Sequence, residues 1–418
     1  MSRKVLENWE LTNLGEIIVT KNNKSKQLKS TEYRKTGIFP VVDQSINLIC
    51  GYSDEKRKAI SSDLPIIIFG DHTRHTKFIS FPFIAGADGT QLLKPAKGID
   101  DKFFYYLVSF ASKKIGNYGY DRHFKHLKDF QCLYPTDECE QQKIAAILTA
   151  IDRAIAHTEA LIEKYQQIKA GLMHDLFTRG IGADGKLRPT REEAPELYQE
   201  SAIGWIPREW ELKPLEYGLS ASPKNGYSPK EVENWQGVYV LGLSCLTKNG
   251  FSPAHLKNAP KTALRSSAKL EDGDFLISRS NTQELVGLCG IYRDIGHDTI
   301  YPDLMMKLRL NRNVVAEFLE QYLLSQATRQ RISAIAVGTS GSMVKINATT
   351  LKSLKVVYPD PSEQKEIVNK LRPIMNHIRC LETQLNKLQK QKSGLMHDLL
   401  TGKVPVKVNP DEVDHISN

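Results

Sequence analysis

The sequence predicts an α+β protein built as an internal repeat, with two globular regions of mixed strand and helix, each closed by a long amphipathic helix. Three observations predict it. Large apolar residues recur at Ile144, Leu148, Ile151, Ile155, Ile162, Tyr165, Leu172 and Leu176, in steps of four and three interrupted by the polar Thr158 and Lys169. That is the 3.5-residue spacing of a coiled-coil seam, in which each apolar side chain packs into a hole on a facing helix. An offset of 223 residues then reproduces the seam as Ile367, Leu371, Ile374, Ile378, Leu385, Leu388, Leu395 and Leu399, with Leu381 for Thr158 and Lys392 for Lys169. Finally, both copies begin and end alike. Glu140-Gln141 matches Glu363-Gln364, and residues 171–176 and 394–399 both read Gly-Leu-Met-His-Asp-Leu. Two stripes in register with a shared ending indicate a duplication.

Each helix runs about 35 residues, or roughly 50 Å at 1.5 Å per residue. A single apolar stripe of that length needs a partner, and the nearest candidate is the other copy in the same chain. Lys169 and Lys392 occupy seam positions. They either penalise slippage of register, as a polar group at such a position does, or lie near frayed ends and reach solvent. Pro373 removes one backbone hydrogen bond from the second helix and should kink its first turns.

The duplication extends upstream. Trp9-Glu10-Leu11 matches Trp210-Glu211-Leu212 at an offset of 201, and Leu14 matches Leu215. The difference between the two offsets makes the second globular region about 22 residues longer, and insertions of that size belong in surface loops, where recognition also sits. Residues 1–137 read as the first globular domain, with strand-like runs at 38–42, 64–69 and 78–81 and helices at 101–111 and around 124–130. Residues 138–178 are the first long helix. Residues 179–206 are a hydrophilic connector, set off by Gly180 and two prolines. Residues 207–360 form the second globular domain, with strands at 237–243 and 274–278 and a helix at 313–325. The second long helix covers 361–401, and a polar tail, 402–418, follows with a disordered tip. Strands and helices without regular alternation define the α+β class.

The chain of 418 residues is 40% hydrophobic and 25% charged, as in soluble globular proteins. No apolar run approaches 18 residues, so no membrane partner is expected. The start, Met1-Ser2-Arg3-Lys4, lacks a signal-peptide core. Six scattered cysteines, with no C-x-x-C pair, read as reduced thiols of a cytoplasmic protein. The formal charge of +9, from 57 Lys+Arg and 48 Asp+Glu, favours a polyanionic partner.

Catalytic signatures are missing from the sequence. It holds no G-x-x-x-x-G-K-[S/T] loop, no glycine-rich dinucleotide fingerprint, no H-E-x-x-H and no Asn/Asp-Pro-Pro-aromatic motif of an adenine methyltransferase. No cofactor and no metal are expected. Tyr301-Pro302-Asp303 with Lys307 lacks the second carboxylate a metal-dependent nuclease needs, and reads as a strand-edge turn. His174-Asp175 and His397-Asp398 lie at helix ends, where neighbouring side chains diverge; helix-end hydrogen bonding or contact with a partner protein fits better than acid-base chemistry.

The positive signal lies in polar loops. Lys21, Asn22, Asn23, Lys24 and Lys26 form a basic, amide-rich stretch. Lysine and asparagine contact phosphates, and asparagine can read adenine with two hydrogen bonds. His72, Thr73, Arg74 and His75, with Lys77 beyond, follow a buried strand. Arg279, Ser280, Asn281 and Thr282 hold the comparable place in the second region. Thr339, Ser340 and Ser342, with Lys345, form a small-residue loop able to approach a phosphate backbone, and its counterpart carries Tyr118, Tyr120, Arg122 and His123. Lys224 and Tyr227 complete the set. For each loop the alternative is a solvated turn, and for His72 and His75 also a metal site, a weak signal because His-x-x-His lacks a further ligand pair.

The whole pattern resembles the specificity subunit of type I restriction-modification systems. The likeness rests on two unlike halves each ending in G-L-M-H-D-L, on Gly204-Trp205-Ile206-Pro207 before the second W-E-L, on DGDFLISRSN at 272–281, and on GTSGSMVKINATTLKSLKVVYPDPSEQKEI at 338–367. It departs inside the first domain, where His72–His75 stands in place of the family's usual glycine-rich loop. The resemblance implies two target recognition domains separated by an antiparallel two-helix coiled coil. Each domain would read one half of a split, asymmetric site in double-stranded DNA through the major groove. The helices would act as a ruler and as docking surface for two DNA adenine methyltransferase subunits, with ATP-dependent translocase-nuclease restriction subunits joining outside. Methylation, ATP hydrolysis and cleavage would belong to those partners, leaving this chain without catalytic residues. The alternatives are a specificity module of a related single-polypeptide or two-subunit system, and a coiled-coil scaffold without DNA affinity.

Overall fold

A computed structural model describes residues 8–22, 24–86, 89–116, 122–338 and 343–406. The first long helix spans Glu138–Thr178 and the second Pro361–Leu400, the latter staying helical through Pro373. Two compact units emerge: Met1–Ala160 with Glu382–Asn418, and Leu161–Leu381. The unit boundaries fall inside both long helices, because each globular region packs against the start of one helix and the end of the other.

In the first unit a four-stranded antiparallel sheet has the order Ile18–Thr20, Thr90–Pro95, Ile66–Gly70, Thr76–Ile79. A three-stranded sheet has the order Gly51–Ser53, Phe39–Val42, Ile84–Ala85, its last pair parallel. A two-stranded ribbon joins Trp9–Asn13 to Gln131–Pro135. Every residue of Ile66–Gly70 is buried, which requires cover on both faces. Side chains alternate across a strand, and here Ile67 and Phe69 join the cluster of the helix Asp101–Lys114, with Phe103, Phe104, Leu107 and Val108. Ile66 and Ile68 point the other way, into a cluster with Val42, Phe83 and Ala85. That helix is capped by Asp100, whose carboxylate accepts from the N–H groups of Lys102 and Phe103 at 2.9 and 2.7 Å.

The second unit repeats this topology strand for strand. Its four-stranded sheet runs Leu219–Asn225, Met305–Leu310, Phe275–Ser278, Cys289–Ile291, and its three-stranded sheet runs Leu256–Ala259, Val238–Leu241, Asp298–Ile300. Glu211–Pro214 pairs with Lys355–Tyr358 as the ribbon. Phe275 and Ile277 again face one cluster and Leu276 the other. The duplication inferred from sequence is therefore a duplication of fold.

In each unit the repeated Glu-Gln pair joins the globular region to its helix. Gln141 and Gln364 are both fully buried. Gln141 donates through Nε2 to the carbonyls of Pro135 and Gly98, at 2.9 and 3.2 Å, and accepts from the Asp100 N–H at 2.7 Å. Gln364 donates to the carbonyls of Pro359 and Asn313, at 2.9 and 2.8 Å, and accepts from the Val315 N–H at 2.8 Å. The preceding glutamates accept from the repeated tryptophans: Trp9 Nε1 to Glu140 at 3.2 Å, and Trp210 Nε1 to Glu363 at 3.0 Å. Burial raises the Glu140 pKa, and hydrogen bonds from Trp9 and the Val406 backbone counter that shift.

The connector corrects an expectation. Residues 179–206, expected as a hydrophilic connector, are anchored in the second unit. A hairpin pairs Tyr198–Ser201 with Gly204–Pro207, and Ile181 and Ile206 enter the second unit's core. Polar composition concealed the anchor. Arg188 is nearly buried and pairs with Glu363 at 2.6 Å and Glu209 at 2.5 Å. The Ile181 N–H also donates to Glu363, at 2.8 Å.

Within each unit the two long helices run antiparallel. In the first unit Ile144 and Leu148 share a cluster with Met396, Leu399 and Leu400, while Asp152 pairs with Lys392 at 2.5 Å. In the second unit Leu176 and Phe177 share a cluster with Ile367 and Leu371, and Tyr165 meets His377 edge-on with ring centroids 4.3 Å apart. Neither seam lysine is a frayed end. Lys392 is ion-paired, and Lys169 is buried with its charge acting on the buried Glu320 carboxyl.

The helix expected at 313–325 is shorter, Ala316–Leu324, and a second helix, Gln326–Ile335, follows it after Ser325. Replacing either buried amide by an apolar isostere strands two carbonyls and one N–H, each worth about 1–3 kcal/mol when buried without a partner. Gln141→Leu should therefore destabilise the first unit, and Gln364→Leu the second, by about 3 kcal/mol. Denaturant titration measures the loss, and hydrogen exchange should rise in the affected unit alone.

Candidate nucleic-acid interface

In the first unit the predicted loops gather around one buried carboxylate. Asp71 follows the strand Ile66–Gly70. Its carbonyl accepts from the His123 N–H at 2.9 Å, and its carboxylate accepts from the Phe124 N–H at 2.8 Å and from Gln91 Nε2 at 3.3 Å. Gln91 in turn meets the Asn22 side chain at 2.5 Å, and Asn22 accepts from the Leu92 N–H at 2.8 Å. The loops carrying Lys21 and Asn22, His72 to His75, and Arg122 thus converge at one end of the four-stranded sheet. Gln44 braces the middle loop, accepting from the His72 N–H at 3.0 Å and from the Thr73 hydroxyl at 2.5 Å. Gly70 is needed here, since a Cβ would fall 2.2 Å from Thr73 Oγ1.

Lys21, Asn22, Lys26, His72, Thr73, His75 and Arg122 are exposed. Others are not available as expected. Lys77 is buried, and its ammonium donates to the carbonyls of Asp43 and Asn47. His123 is buried, with Nδ1 2.9 Å from the Asp71 carbonyl. Arg74 adopts a φ of 59° and turns its guanidinium inward to the carbonyl of Ile115, at 3.0 Å. These three are corrected from surface contacts to supports. Lys24 lies in the short helical turn Lys24–Lys26. Asn23, Tyr118 and Tyr120 lie outside the described residues.

The second unit builds a matching cluster by different bonds. Arg279 follows the strand Phe275–Ser278, which holds the sheet position of Ile66–Gly70. Its N–H donates to the Leu304 carbonyl at 2.8 Å. Ser280 and Asn281 pair with Lys345 and Val344 as a two-residue ribbon. The 301–304 turn also receives the Tyr227 N–H, at the Tyr301 carbonyl, and Tyr301 Oη donates to the Lys224 carbonyl. Lys224, Tyr227, Thr282 and Lys345 are exposed, while Arg279 and Asn281 are half-buried. Ser280 is buried and its role is corrected to a strand position. Thr339, Ser340 and Ser342 lie outside the described residues.

The motifs weighed as chemistry fall into structural roles. Lys307 pairs with Asp274 at 2.9 Å, and Asp303 with the Ser228 hydroxyl. The repeated His-Asp pairs sit at helix ends: the His174 and His397 carbonyls accept from Thr178 and Thr401, while Asp175 and Asp398 face Arg179 and Lys403. No group of three or more metal-binding side chains gathers among the described residues. No described helix is long and apolar enough to cross a membrane. Sequence reasoning missed the residues that position the loops, Gln44, Asp71 and Gln91. Only the last hydrophilic step out of a buried strand, Gly70-Asp71, marked one of them.

The architecture is that of a duplicated reader, two loop-bearing sheets each fastened to a pair of helices. Residues 6–167 and 207–390 match the family model described as the type I restriction modification DNA specificity domain. The chain is 23% identical over 442 aligned positions to the type I restriction enzyme MjaVIII specificity subunit of Methanocaldococcus jannaschii, covering 97% of this chain and 95% of that one. It is 27% identical, with the same coverage, to the putative MjaX specificity subunit of the same organism. Among solved structures, the type I restriction-modification S subunit from M. genitalium superposes with a TM-score of 0.56 at 15% identity, over 98% of this chain and 99% of that one. The chain belongs to the type I restriction-modification DNA specificity family.

Asp71→Ala removes the acceptor shared by two of the three loops without removing a cation. The loops should loosen, seen as faster hydrogen exchange at 71–75 and 122–128. Affinity for duplex DNA should fall about tenfold, equivalent to 1.4 kcal/mol, with the salt dependence of binding unchanged.

Proposed function

We propose that this chain reads a bipartite, asymmetric target in double-stranded DNA, one half-site per unit, and carries two adenine methyltransferase subunits and the ATP-dependent restriction subunits that act on it. The observation that carries the reading is the convergence of exposed cationic and amide side chains at one end of each four-stranded sheet: Lys21, Lys26 and Asn22 in one unit, Lys224 and Lys345 in the other. Lysines supply phosphate attraction and the release of bound counterions, while amides and hydroxyls read base edges. The family membership supports the same reading. Because the two clusters are built from different residues, the two half-sites differ in sequence. The continuous helices set the number of unread base pairs between them. Methylation, ATP hydrolysis and cleavage reside in the partner subunits, and this chain supplies no catalytic group.

Expression of the chain with its methyltransferase partner, followed by mapping of methylated adenines across the host genome, should return a single split motif with unlike halves. Random or absent methylation rejects the reading. Binding of the chain to duplex DNA should weaken steeply with salt, and Lys26→Ala and Lys345→Ala should each reduce the log–log salt slope by about 0.9. A scaffold without DNA affinity would show neither the binding nor the slope. Co-purification with a separate methyltransferase and a separate translocase-nuclease distinguishes the three-subunit assembly from a two-subunit system.

A further inference from the structure

The turn at 44–49 in the first unit has an unusual surface. Ile46 is 77% exposed, Leu48 50% and Ile49 38%, three aliphatic side chains in four residues turned to solvent. Isolated exposed aliphatics are ordinary, but a contiguous group marks an interaction site. The turn is also rigidly built. Lys77, only 6% exposed, donates from beneath to the Asp43 carbonyl at 2.7 Å and to that of Asn47. Burial lowers the Lys77 pKa, so a lysine is held there against its preference for water. The Asp43 carboxylate accepts from the Ser45 N–H at 2.8 Å, the Cys50 thiol at 2.9 Å and the Tyr33 hydroxyl at 3.2 Å. A turn fixed at this many points presents its apolar tip in one geometry.

Its position selects the partner. Gln44, the first residue of the turn, accepts from the His72 N–H and the Thr73 hydroxyl, so the turn is fastened directly to the loop that carries exposed His72, Thr73 and His75. The corresponding loop of the second unit, between Val238–Leu241 and Leu256–Ala259, carries the polar Lys248-Asn249 between two short strands instead. Apolar side chains have no use for phosphates. In the major groove of DNA the apolar feature they can meet is the thymine C5-methyl group.

We propose that this turn is a base-reading finger, with Ile46 and Leu48 packing on thymine methyl groups of the first unit's half-site and Lys77 as the positioning residue that holds the finger up. The inference rests on the DNA-reading function above. Its test uses the whole chain and duplexes carrying the methylation-mapped target, with each thymine replaced in turn by uracil, which lacks only that methyl. At one or two positions in one half-site the wild-type chain should bind about fourfold more weakly, the equivalent of one buried methyl at 0.8 kcal/mol. The Ile46→Ala/Leu48→Ala variant should lose that sensitivity; both side chains are exposed, so folding is spared. Lys77→Met should lose it as well while keeping the wild-type salt slope. A salt slope that falls by about 0.9 in Lys77→Met indicates a phosphate contact and overturns the positioning role. Indifference of the wild-type chain to uracil at every position overturns the finger, as does sensitivity that persists in the double variant, and either result makes the tip a protein-docking surface. A chain that binds no duplex at low salt overturns the underlying reading and the finger with it.

Discussion

A buried amide holds each half of this protein together. An amide in an apolar interior is unfavourable unless its donors and acceptor all find partners. Gln141 and Gln364 meet that condition by reaching from the first turn of a long helix to three backbone groups of the globular region. The three hydrogen bonds fasten the first turn of each helix to the globular region of its own unit. The tryptophan–glutamate contact beside each glutamine adds a second fastening of the same kind. The chain segment that follows each long helix then returns to the same glutamate of the other helix: Ile181 to Glu363, Val406 to Glu140. Each unit is thereby closed from both ends of the chain that enters it.

This explains why some of the molecule was readable in its sequence and some was not. The long helices were readable because helical periodicity is a property of spacing alone; Ile144, Leu148, Ile367 and Leu371 are fully buried, while mid-helix positions of the stripe such as Ile155, Ile162, Leu385 and Leu388 are half-buried. The Glu-Gln pair was visible as a repeat, but its meaning was not, because the partners of Gln141 lie at Gly98, Asp100 and Pro135 and at no fixed spacing from it. The strands Leu219–Asn225, at a sheet edge, and Thr90–Pro95, inside one, went unseen, since their lysines and prolines read as loop. The connector looked hydrophilic because its anchor is an arginine, and an arginine that satisfies two carboxylates from within a fold has the same letter as one in solvent.

The loop residues show the same division. Residue type picked out loops that the structure gathers, yet type does not report direction. Lys77 sits in the strand Thr76–Ile79, on the face it shares with buried Ile79. Its alternation with Ile79 was the signal that placed it inward, and its charge obscured that signal. His123 and Arg74 were drawn inward by carbonyls of Asp71 and Ile115 that no sequence pattern announces.

The fastenings are duplicated while the loops are not, and this follows from what each must do. A seam, a tryptophan and a buried glutamine serve the same geometry in both units, and a change of the glutamine alone forfeits three hydrogen bonds at once. The loop clusters are held by bonds that differ between units: Asp71 and Gln91 with Asn22 in one, a two-residue ribbon of Ser280 and Asn281 against Val344 and Lys345 in the other. Loops anchored through side chains particular to each unit can change what they present without disturbing the frame. A frame that tolerates such exchange is the physical requirement for one fold to serve two unlike sequences, and the apolar turn at 44–49, present in one unit and replaced by Lys248-Asn249 in the other, is an instance of it.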